Sequence, residues 1–259
     1  MRVTADDGVE LAVGVDGPDN AAALVFLHSL GCDRTMWDRQ ADALKHHFRI
    51  IRPDIRGHGL SGAPGGDYTL ARLGQDVRIV LDSLGIARAH VCGISLGGAI
   101  AQWLAMHAPN QVGRLILANT ASRIGAAASW QARIDTVLDQ HMPGIADTVL
   151  ERFFCAPFRA ARPDIVERFR AVLLATAPHG YAGCCAALRD SDLTPDLGRI
   201  GAPSLVIAGS RDVSTPPEQL QNLARGIAGS VLVTLDTAHL SNIEQPASFT
   251  EALSRHLEV

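Results

Sequence analysis

The strongest constraint on the fold is a regular alternation of short apolar segments with longer amphipathic ones. Residues 69–85 and 96–109 space apolar residues three and four apart and end near Gly85 and Pro109, as helices do. Continuous apolar runs are typical of strands buried on both faces of a parallel sheet. Six such runs recur: ALVFLH, FRIIRPDI, AHVCGI, RLILANTA, SLVIAG and SVLVTLD. The pattern predicts an α/β fold with a doubly wound, mostly parallel sheet, which binds ligands beyond the carboxyl ends of its strands.

The alternation stops between residues 121 and 196. No strand pattern occurs there, and the segments SWQARIDTVLDQHM, ADTVLERFF, DIVERFRAVLLAT and GYAGCCAALRD have helical spacing. We therefore predict a core made of residues 1–120 and 197–259, with a helical cap, residues 121–196, inserted between two sheet strands. A length of 259 residues suits one domain with such an insertion.

Composition narrows the range of partners. The net charge is −4, from 23 basic and 27 acidic residues, so no basic excess attracts nucleic acid or an anionic membrane. The N-terminus has no signal-peptide pattern and no apolar run is long enough to cross a bilayer, so we expect a cytoplasmic protein. Its five cysteines lack a C-x-x-C pair, and the adjacent Cys184 and Cys185 are interpreted as small buried packing residues. Whether the chain is a monomer or a homo-oligomer stays open.

A candidate nucleophile lies between a predicted strand and a predicted helix. Residues 93–97, GISLG, match G-x-S-x-G directly after AHVCGI. In that context the turn lifts a serine hydroxyl above the end of the sheet, and its glycines avoid clashes with the neighbouring backbone. Ser95 is therefore the predicted nucleophile, against the alternative of a glycine-rich turn with an incidental serine.

A serine hydroxyl needs a base, and the base needs an orienting acid. In this type of fold the chain order is serine, acid, histidine. His239 follows the last predicted strand, and Asp212 follows SLVIAG directly, so these two complete the predicted triad. Asp236 is the alternative acid, but its place three residues before His239 favours a turn.

The predicted oxyanion hole consists of two backbone amides. One belongs to Leu96, the residue after the nucleophile, and the other to Leu30 in the loop FLHSLGCD after the first predicted core strand. Only the N–H groups matter for this role, because they must point at the developing charge. His28, in the same loop, is interpreted as a residue that shapes it.

The segment GHGLSG at 57–62 also satisfies the dinucleotide pattern G-x-G-x-x-G. A phosphate-binding loop must open a helix, whereas APGGD follows here. We therefore expect no nucleotide cofactor, and no metal-binding motif occurs either.

Five segments together carry a family resemblance: FLHSLG, RPDIRGHGLS, GISLGG, GSRDVSTPP and AHLSNIEQP. They resemble the α/β-hydrolase superfamily over nearly the whole chain. Within it, the SLG loop, the segment NTASRIG leading to Trp130, and AHLSNIEQP are most similar to the 3-oxoadipate enol-lactonases of the bacterial β-ketoadipate pathway.

This resemblance implies opening of a small enol-lactone that bears a carboxymethyl group, within protocatechuate and catechol catabolism. Ser95 would attack the ring carbonyl, and the substrate carboxylate would need a cationic or amide-rich patch in the cap. Arg123 and Arg133, which flank Trp130, are the candidates for that patch. The alternative for the arginines is a solvated helix face, and for Trp130 it is packing of the cap.

Two other functions remain open from the sequence. The same triad would serve a carboxylesterase or a hydrolase of carbon–carbon bonds in aromatic ring-cleavage products. A non-catalytic protein with this fold would bind a small ligand instead.

Overall fold

A computed structural model describes residues 1–259. Its eight strands, in chain order, are β1 Arg2–Thr4, β2 Glu10–Asp16, β3 Ala23–Leu27, β4 Arg49–Pro53, β5 Ala89–Ile94, β6 Val112–Ala118, β7 Ser204–Gly209 and β8 Val231–Leu235. Its eleven α-helices are α1 Asp38–Leu44, α2 Leu70–Ser83, α3 Leu96–His107, α4 Ala127–Gln140, α5 Pro143–Phe153, α6 Ala156–Ala161, α7 Pro163–Ala175, α8 Pro178–Arg189, α9 Pro217–Gly226, α10 Ser241–Glu244 and α11 Pro246–Leu257.

All strands belong to one sheet, in the order β1-β2-β4-β3-β5-β6-β7-β8. The six strands from β3 to β8 are parallel, which confirms the predicted α/β fold with a mostly parallel sheet. The first two strands are antiparallel additions at one edge and were not predicted. They carry little sequence pattern, since β1 has three residues and a glycine interrupts β2.

The expectation that all six runs are buried on both faces is wrong for β8. Every residue of β3 and β7 is buried, whereas Val231 and Leu232 in β8 are exposed. The reason is position, because β8 is the last strand and has a neighbour on one side only. An apolar run identifies a strand but not its place in the sheet.

The chain between β6 and β7 contains no strand and forms the five helices α4 to α8, named here the inserted helices. Several begin earlier than the predicted spacing suggests, because Pro143, Pro163 and Pro178 stand in their first turns. The short helix α6 was not predicted. These helices lie beside the carboxyl ends of the core strands and line a cavity there.

None of the helices by itself has the length and apolar character needed to cross a membrane. Helices α7 and α8 meet that test only as a pair bent by 95°. Most of α8 is buried against the rest of the protein.

Candidate active site

Ser95 occupies a strained turn between β5 and α3. Its backbone angles are φ 56° and ψ −116°, a region that residues with a side chain rarely adopt. The turn is tight because a Cβ at Gly97 would lie 2.2 Å from the carbonyl oxygen of Leu27. The Ser95 amide donates to Ala118 O, and Thr120 Oγ1 donates to Ser95 O. The neighbouring strands thus hold a conformation that carries the serine side chain into the cavity.

The structure brings His239 and Asp212 together at the same end of the sheet. His239 Nδ1 donates to Asp212 Oδ2 over 2.8 Å, and both side chains are buried. His239 lines the cavity together with Ser95, although no hydrogen bond joins these two side chains in the structure. Catalytic hydrogen bonds of this kind tighten when a substrate binds.

Asp212 is held as a carboxylate by an array of donors. Its Oδ1 accepts from the amides of Ser214 and Thr215, and its Oδ2 accepts from Thr215 Oγ1 and Asn119 Nδ2 as well as from His239. Burial raises the pKa of Asp212, but the His239 charge and these hydrogen bonds outweigh it, so the net pKa is lowered. Asp212 therefore stays ionised at neutral pH.

Asn119, directly after β6, is a supporting residue that was not among the predicted site residues. It is fully buried, has φ 42°, and donates from Nδ2 to Asp212 and to Ala238 O. Ser241 Oγ donates to its Oδ1 over 2.5 Å, which fixes the orientation of the amide. The end of β6 thus supports the acid that follows β7.

The rival acid, Asp236, lies elsewhere. Its side chain is 61% exposed, against 0% for Asp212. It pairs with Arg211 and accepts from Ser210 Oγ, and it makes no hydrogen bond to His239. The structure therefore places Asp236 on the surface rather than beside the imidazole.

Of the two predicted oxyanion amides, that of Leu30 belongs to a residue lining the cavity and that of Leu96 directly follows Ser95. Leu96 is the first residue of α3, so its N–H is in the turn that has no intrahelical acceptor. The N–H of Leu30 has no acceptor in the protein, whereas those of Ser29 and Gly31 donate to Met36 Sδ and to His58 Nε2. Leu30 is thus the one amide of this three-residue turn that is available to a ligand.

Two buried histidines shape the Leu30 loop. His28 Nε2 accepts from the Ile55 amide and His58 Nε2 accepts from the Gly31 amide. The pKa of both is lowered, chiefly by burial, and that of His58 lies at about 3. Both rings are therefore neutral acceptors, which agrees with the interpretation of His28 as a loop-shaping residue.

His58 belongs to the segment that mimics a dinucleotide motif. No helix follows it before Leu70, so the expected failure of that pattern to open a helix is confirmed. Its neighbour Arg56 is buried in ion pairs with Asp7 and Asp76. Cys184, packed against this loop, is a buried free thiol like Cys185, which confirms their interpretation as packing residues.

The cavity above Ser95 is bounded by the core on one side and by the inserted helices on the other. Of the pocket candidates from the sequence, Trp130 and Arg133 line it, whereas Arg123 does not. Arg123 is exposed and lies 3.6 Å from Asp192. The full lining is Ser29, Leu30, Ser95, Ile124, Gly125, Ser129, Trp130, Arg133, Val149, Arg152, Phe153, Tyr181, Ser214 and His239.

Trp130 has both of the roles considered for it. Its Nε1 donates to Ile124 O over 2.5 Å, which packs the start of α4, and its ring lines the cavity. The Arg133 guanidinium lies over this ring, 5.1 Å from the centroid. Such a cation–π contact fixes Arg133 without neutralising its charge.

Arg152 is a cavity residue that the sequence analysis missed. Neither Arg133 nor Arg152 has a carboxylate partner, and no Asp or Glu lines the cavity. Burial and the positive charge of Arg133 lower the pKa of Arg152, but an arginine remains charged. Helical spacing gave a clue, since Val149, Arg152 and Phe153 on α5 share one face. The cavity thus carries two uncompensated positive charges.

Helix α5 also contacts the loop that bears His239. The amide of Leu240 donates to Phe153 O, and the Phe153 ring stacks on the imidazole at a centroid distance of 6.2 Å. Just beyond α5, the Cys155 amide donates to Glu244. The inserted helices are therefore tied directly to the histidine loop.

Comparison with known proteins agrees with this geometry. A family model described as the alpha/beta hydrolase fold matches residues 22–246. The chain is 42% identical over 251 residues to 3-oxoadipate enol-lactonase 2 of Acinetobacter baylyi, covering 97% of this chain and 94% of that protein. The enol-lactonase structure from Burkholderia xenovorans has 39% identity and a TM-score of 0.98 over 100% of both chains.

A solved hydrolase from Pseudomonas aeruginosa has 46% identity and a TM-score of 0.98, covering 100% of this chain and 98% of that one. Likeness at these identities extends over the whole chain, including the inserted helices. The chain therefore belongs to the α/β-hydrolase family and, within it, to the group of enzymes that includes the 3-oxoadipate enol-lactonases.

Proposed function

We propose that this enzyme opens 3-oxoadipate enol-lactone to 3-oxoadipate, in the catabolism of protocatechuate and catechol. The observation that carries the proposal is the cavity that joins Ser95 and His239 to Arg133 and Arg152, two arginines without a carboxylate partner. A lactone that bears a carboxylate supplies both the acyl carbon for the serine and the anion for the arginines. The relatives named as enol-lactonases support this choice of substrate.

The chemistry uses the residues that meet in the cavity. Ser95 Oγ attacks the ring carbonyl while His239 takes its proton, and Asp212 orients and stabilises the imidazolium. The amides of Leu30 and Leu96 bind the oxyanion. Collapse of the tetrahedral intermediate breaks the ring C–O bond, and the enolate that leaves takes the proton from His239. The resulting enol converts to its ketone tautomer, which makes the ring opening difficult to reverse.

The second half of the reaction releases the acyl group. A water molecule gives a proton to His239 and attacks the acyl carbon of the Ser95 ester, through a second oxyanion held by the same amides. Breakdown returns the proton to Ser95 Oγ. The product carries two carboxylates, one of which was the carboxymethyl group of the substrate.

We propose that the inserted helices act as the cap that selects this substrate. Arg133 and Trp130 come from α4 and Arg152 comes from α5, so the groups suited to the carboxylate all belong to the insertion. The groups that carry out the chemistry come from the core. Removing the substrate carboxylate would therefore remove contacts with the inserted helices alone.

The decisive assay follows the ultraviolet absorbance of the enol-lactone, formed in situ from its muconolactone precursor. Wild-type protein should remove it, and Ser95→Ala should lose turnover by several orders of magnitude while remaining folded. Turnover of p-nitrophenyl acetate without turnover of the lactone would favour a general carboxylesterase. Undiminished turnover by Ser95→Ala would remove the serine from the mechanism.

The carboxylate site has its own test with a matched control. Arg133→Met and Arg152→Met should each raise KM for the lactone about 10- to 100-fold, the value of a charge-assisted hydrogen bond. Hydrolysis of p-nitrophenyl acetate, which lacks a carboxylate, should be unaffected. Arg123→Met, outside the cavity, should leave both substrates unchanged. An equal loss on both substrates in either cavity variant would contradict the assignment.

A further inference from the structure

Ser29 presents a hydroxyl that the fold itself does not use. Its residue is 1% exposed, and its Oγ has no hydrogen-bond partner in the protein. A buried polar atom without a partner is costly and therefore rare in native proteins. Ser29 also lines the cavity with Ser95 and His239. The unused hydroxyl thus adjoins the space where the reacting group lies.

The main chain of Ser29, in contrast, is fully engaged. Its amide donates to Met36 Sδ over 3.4 Å. Its carbonyl accepts from the Cys32 amide over 3.1 Å and from His28 Nδ1 over 2.8 Å. These contacts fix the loop without any contribution from the side chain. The hydroxyl is therefore not needed to shape the loop.

The position of this hydroxyl in the chain indicates its use. Ser29 immediately precedes Leu30, whose N–H also lacks a protein acceptor and lies in the same cavity wall. Two successive groups of one turn thus offer free donors. In the HGGG-type form of this loop, the residue after the histidine is a glycine, which offers no side-chain donor.

We propose that Ser29 Oγ donates a hydrogen bond to the acyl oxygen as it becomes the oxyanion, beside the amides of Leu30 and Leu96. This inference rests on the proposed role of Ser95 as nucleophile, but not on the identity of the lactone. A third donor that strengthens as negative charge develops lowers the barrier without tightening substrate binding. The arginines on the inserted helices are left for the substrate carboxylate, since Ser29 belongs to the core loop.

The test is a kinetic comparison of Ser29→Ala and Ser29→Cys with wild type. Cysteine has nearly the size of serine but is a weak donor, so it separates hydrogen bonding from space filling. Both variants should lose kcat by about 100- to 1000-fold, because one oxyanion donor is removed while two remain. KM should change little. An arylboronic acid, which forms a tetrahedral adduct with serine, should bind both variants more weakly by a similar factor.

Ser204→Ala serves as the opposite control. Ser204 is also buried, but its Oγ donates to Ala202 O at the amino end of β7, away from the cavity. Its removal should lower the melting temperature and leave kcat unchanged. Ser29→Ala should lower kcat and leave the melting temperature unchanged, because its hydroxyl has no hydrogen-bond partner in the folded protein.

Each rate is measured on p-nitrophenyl acetate as well as on the enol-lactone. Wild type that hydrolyses only the ester would remove the lactone proposal, while the Ser29 ratio on the ester would still test the donor. The inference is overturned if Ser29→Ala keeps kcat within about twofold of wild type. It is equally overturned if Ser29→Cys retains full kcat, or if the losses appear in KM alone.

Discussion

Replacing Asp212 with asparagine tests the proposed triad at its acid, whose orientation is fixed by hydrogen bonds to both carboxylate oxygens. Oδ1 accepts from two backbone amides, of Ser214 and Thr215, which cannot exchange donor for acceptor. The new carboxamide must therefore keep its oxygen there and turn its NH2 group towards His239 Nδ1, 2.8 Å away in the wild type. Two donors cannot share that contact. The imidazole must then change tautomer, so that Nδ1 accepts and Nε2 carries the proton.

An imidazole with a protonated Nε2 cannot take the proton of Ser95. The same tautomer change in a serine hydrolase costs about 10⁴ in kcat, which corresponds to about 5 kcal/mol of activation free energy. We expect a loss of this size in Asp212→Asn, with KM changed little. Asn119 Nδ2 also loses one of its two acceptors, since the new NH2 group faces it as well. Folding should therefore weaken by roughly 1–3 kcal/mol.

The assay is steady-state hydrolysis of p-nitrophenyl acetate and of the enol-lactone at 25 °C, with thermal unfolding measured in parallel. Asp236→Asn is the matched control, because Asp236 lies just before His239 but its side chain bonds only to Arg211 and Ser210. It should leave kcat unchanged. A loss below about tenfold in Asp212→Asn, or a comparable loss in Asp236→Asn, would refute the tautomer argument.

Three further outcomes are expected. Burial holds the pKa of His58 at about 3, below its ordinary value of 6.5. Below pH 6.5 the unfolded chain therefore binds a proton that the folded protein excludes. The free energy of unfolding should be highest above pH 6.5 and fall by about 2 kcal/mol from pH 7 to pH 5. Urea unfolding of His58→Gln should lack this part of the decline in unfolding free energy. An equal decline in wild type and variant would contradict the prediction. Asn119→Ala should lower kcat about 10- to 100-fold by loosening Asp212, whereas unchanged kcat would show that the other donors suffice. Gly97→Ala should cost about 1–3 kcal/mol in thermal unfolding, since its Cβ meets backbone 2.2 Å away, while Gly198→Ala, with nothing within 4 Å, should cost little; equal costs would refute this.

The features that the sequence predicted are those that depend on local pattern or chain order. A serine between glycines after an apolar run is a local pattern, and it placed Ser95 at the end of β5. Chain order selected Asp212 and His239, because parallel strands end at one edge of the sheet. Asp236 satisfies the same chain order, and its place three residues before His239 is the reason to prefer Asp212. The structure brings Asp212 to the imidazole.

The features that it missed depend on how distant segments pack. Arg123 and Arg133 both flank Trp130 in the sequence, but only Arg133 lies on α4, where it stacks on that ring. Arg123 precedes the helix and reaches Asp192 instead. Arg152 enters the cavity because α5 lies beside α4, a relation that periodicity does not encode. Spacing selects a face of a helix, and tertiary packing decides what that face meets.

The pairing of polar groups in the cavity gives one more physical argument about the substrate. His28, His58 and Asp212 have all their polar contacts inside the protein, and they hold the loops in place. Unpaired groups remain on Ser29 and Leu30 in the core and on Arg133 and Arg152 in the inserted helices.

The Leu30 amide and the two guanidinium groups can only donate, the Ser29 hydroxyl can donate or accept, and two of the four groups are cations. No carboxylate lines the cavity to compensate them. A site with two uncompensated cations and a free amide selects a ligand that has an anionic group near the arginines and a developing anion near Leu30. A neutral ester satisfies only the second of these requirements. The donor distribution therefore favours an anionic acyl substrate such as the enol-lactone over a simple alkyl ester.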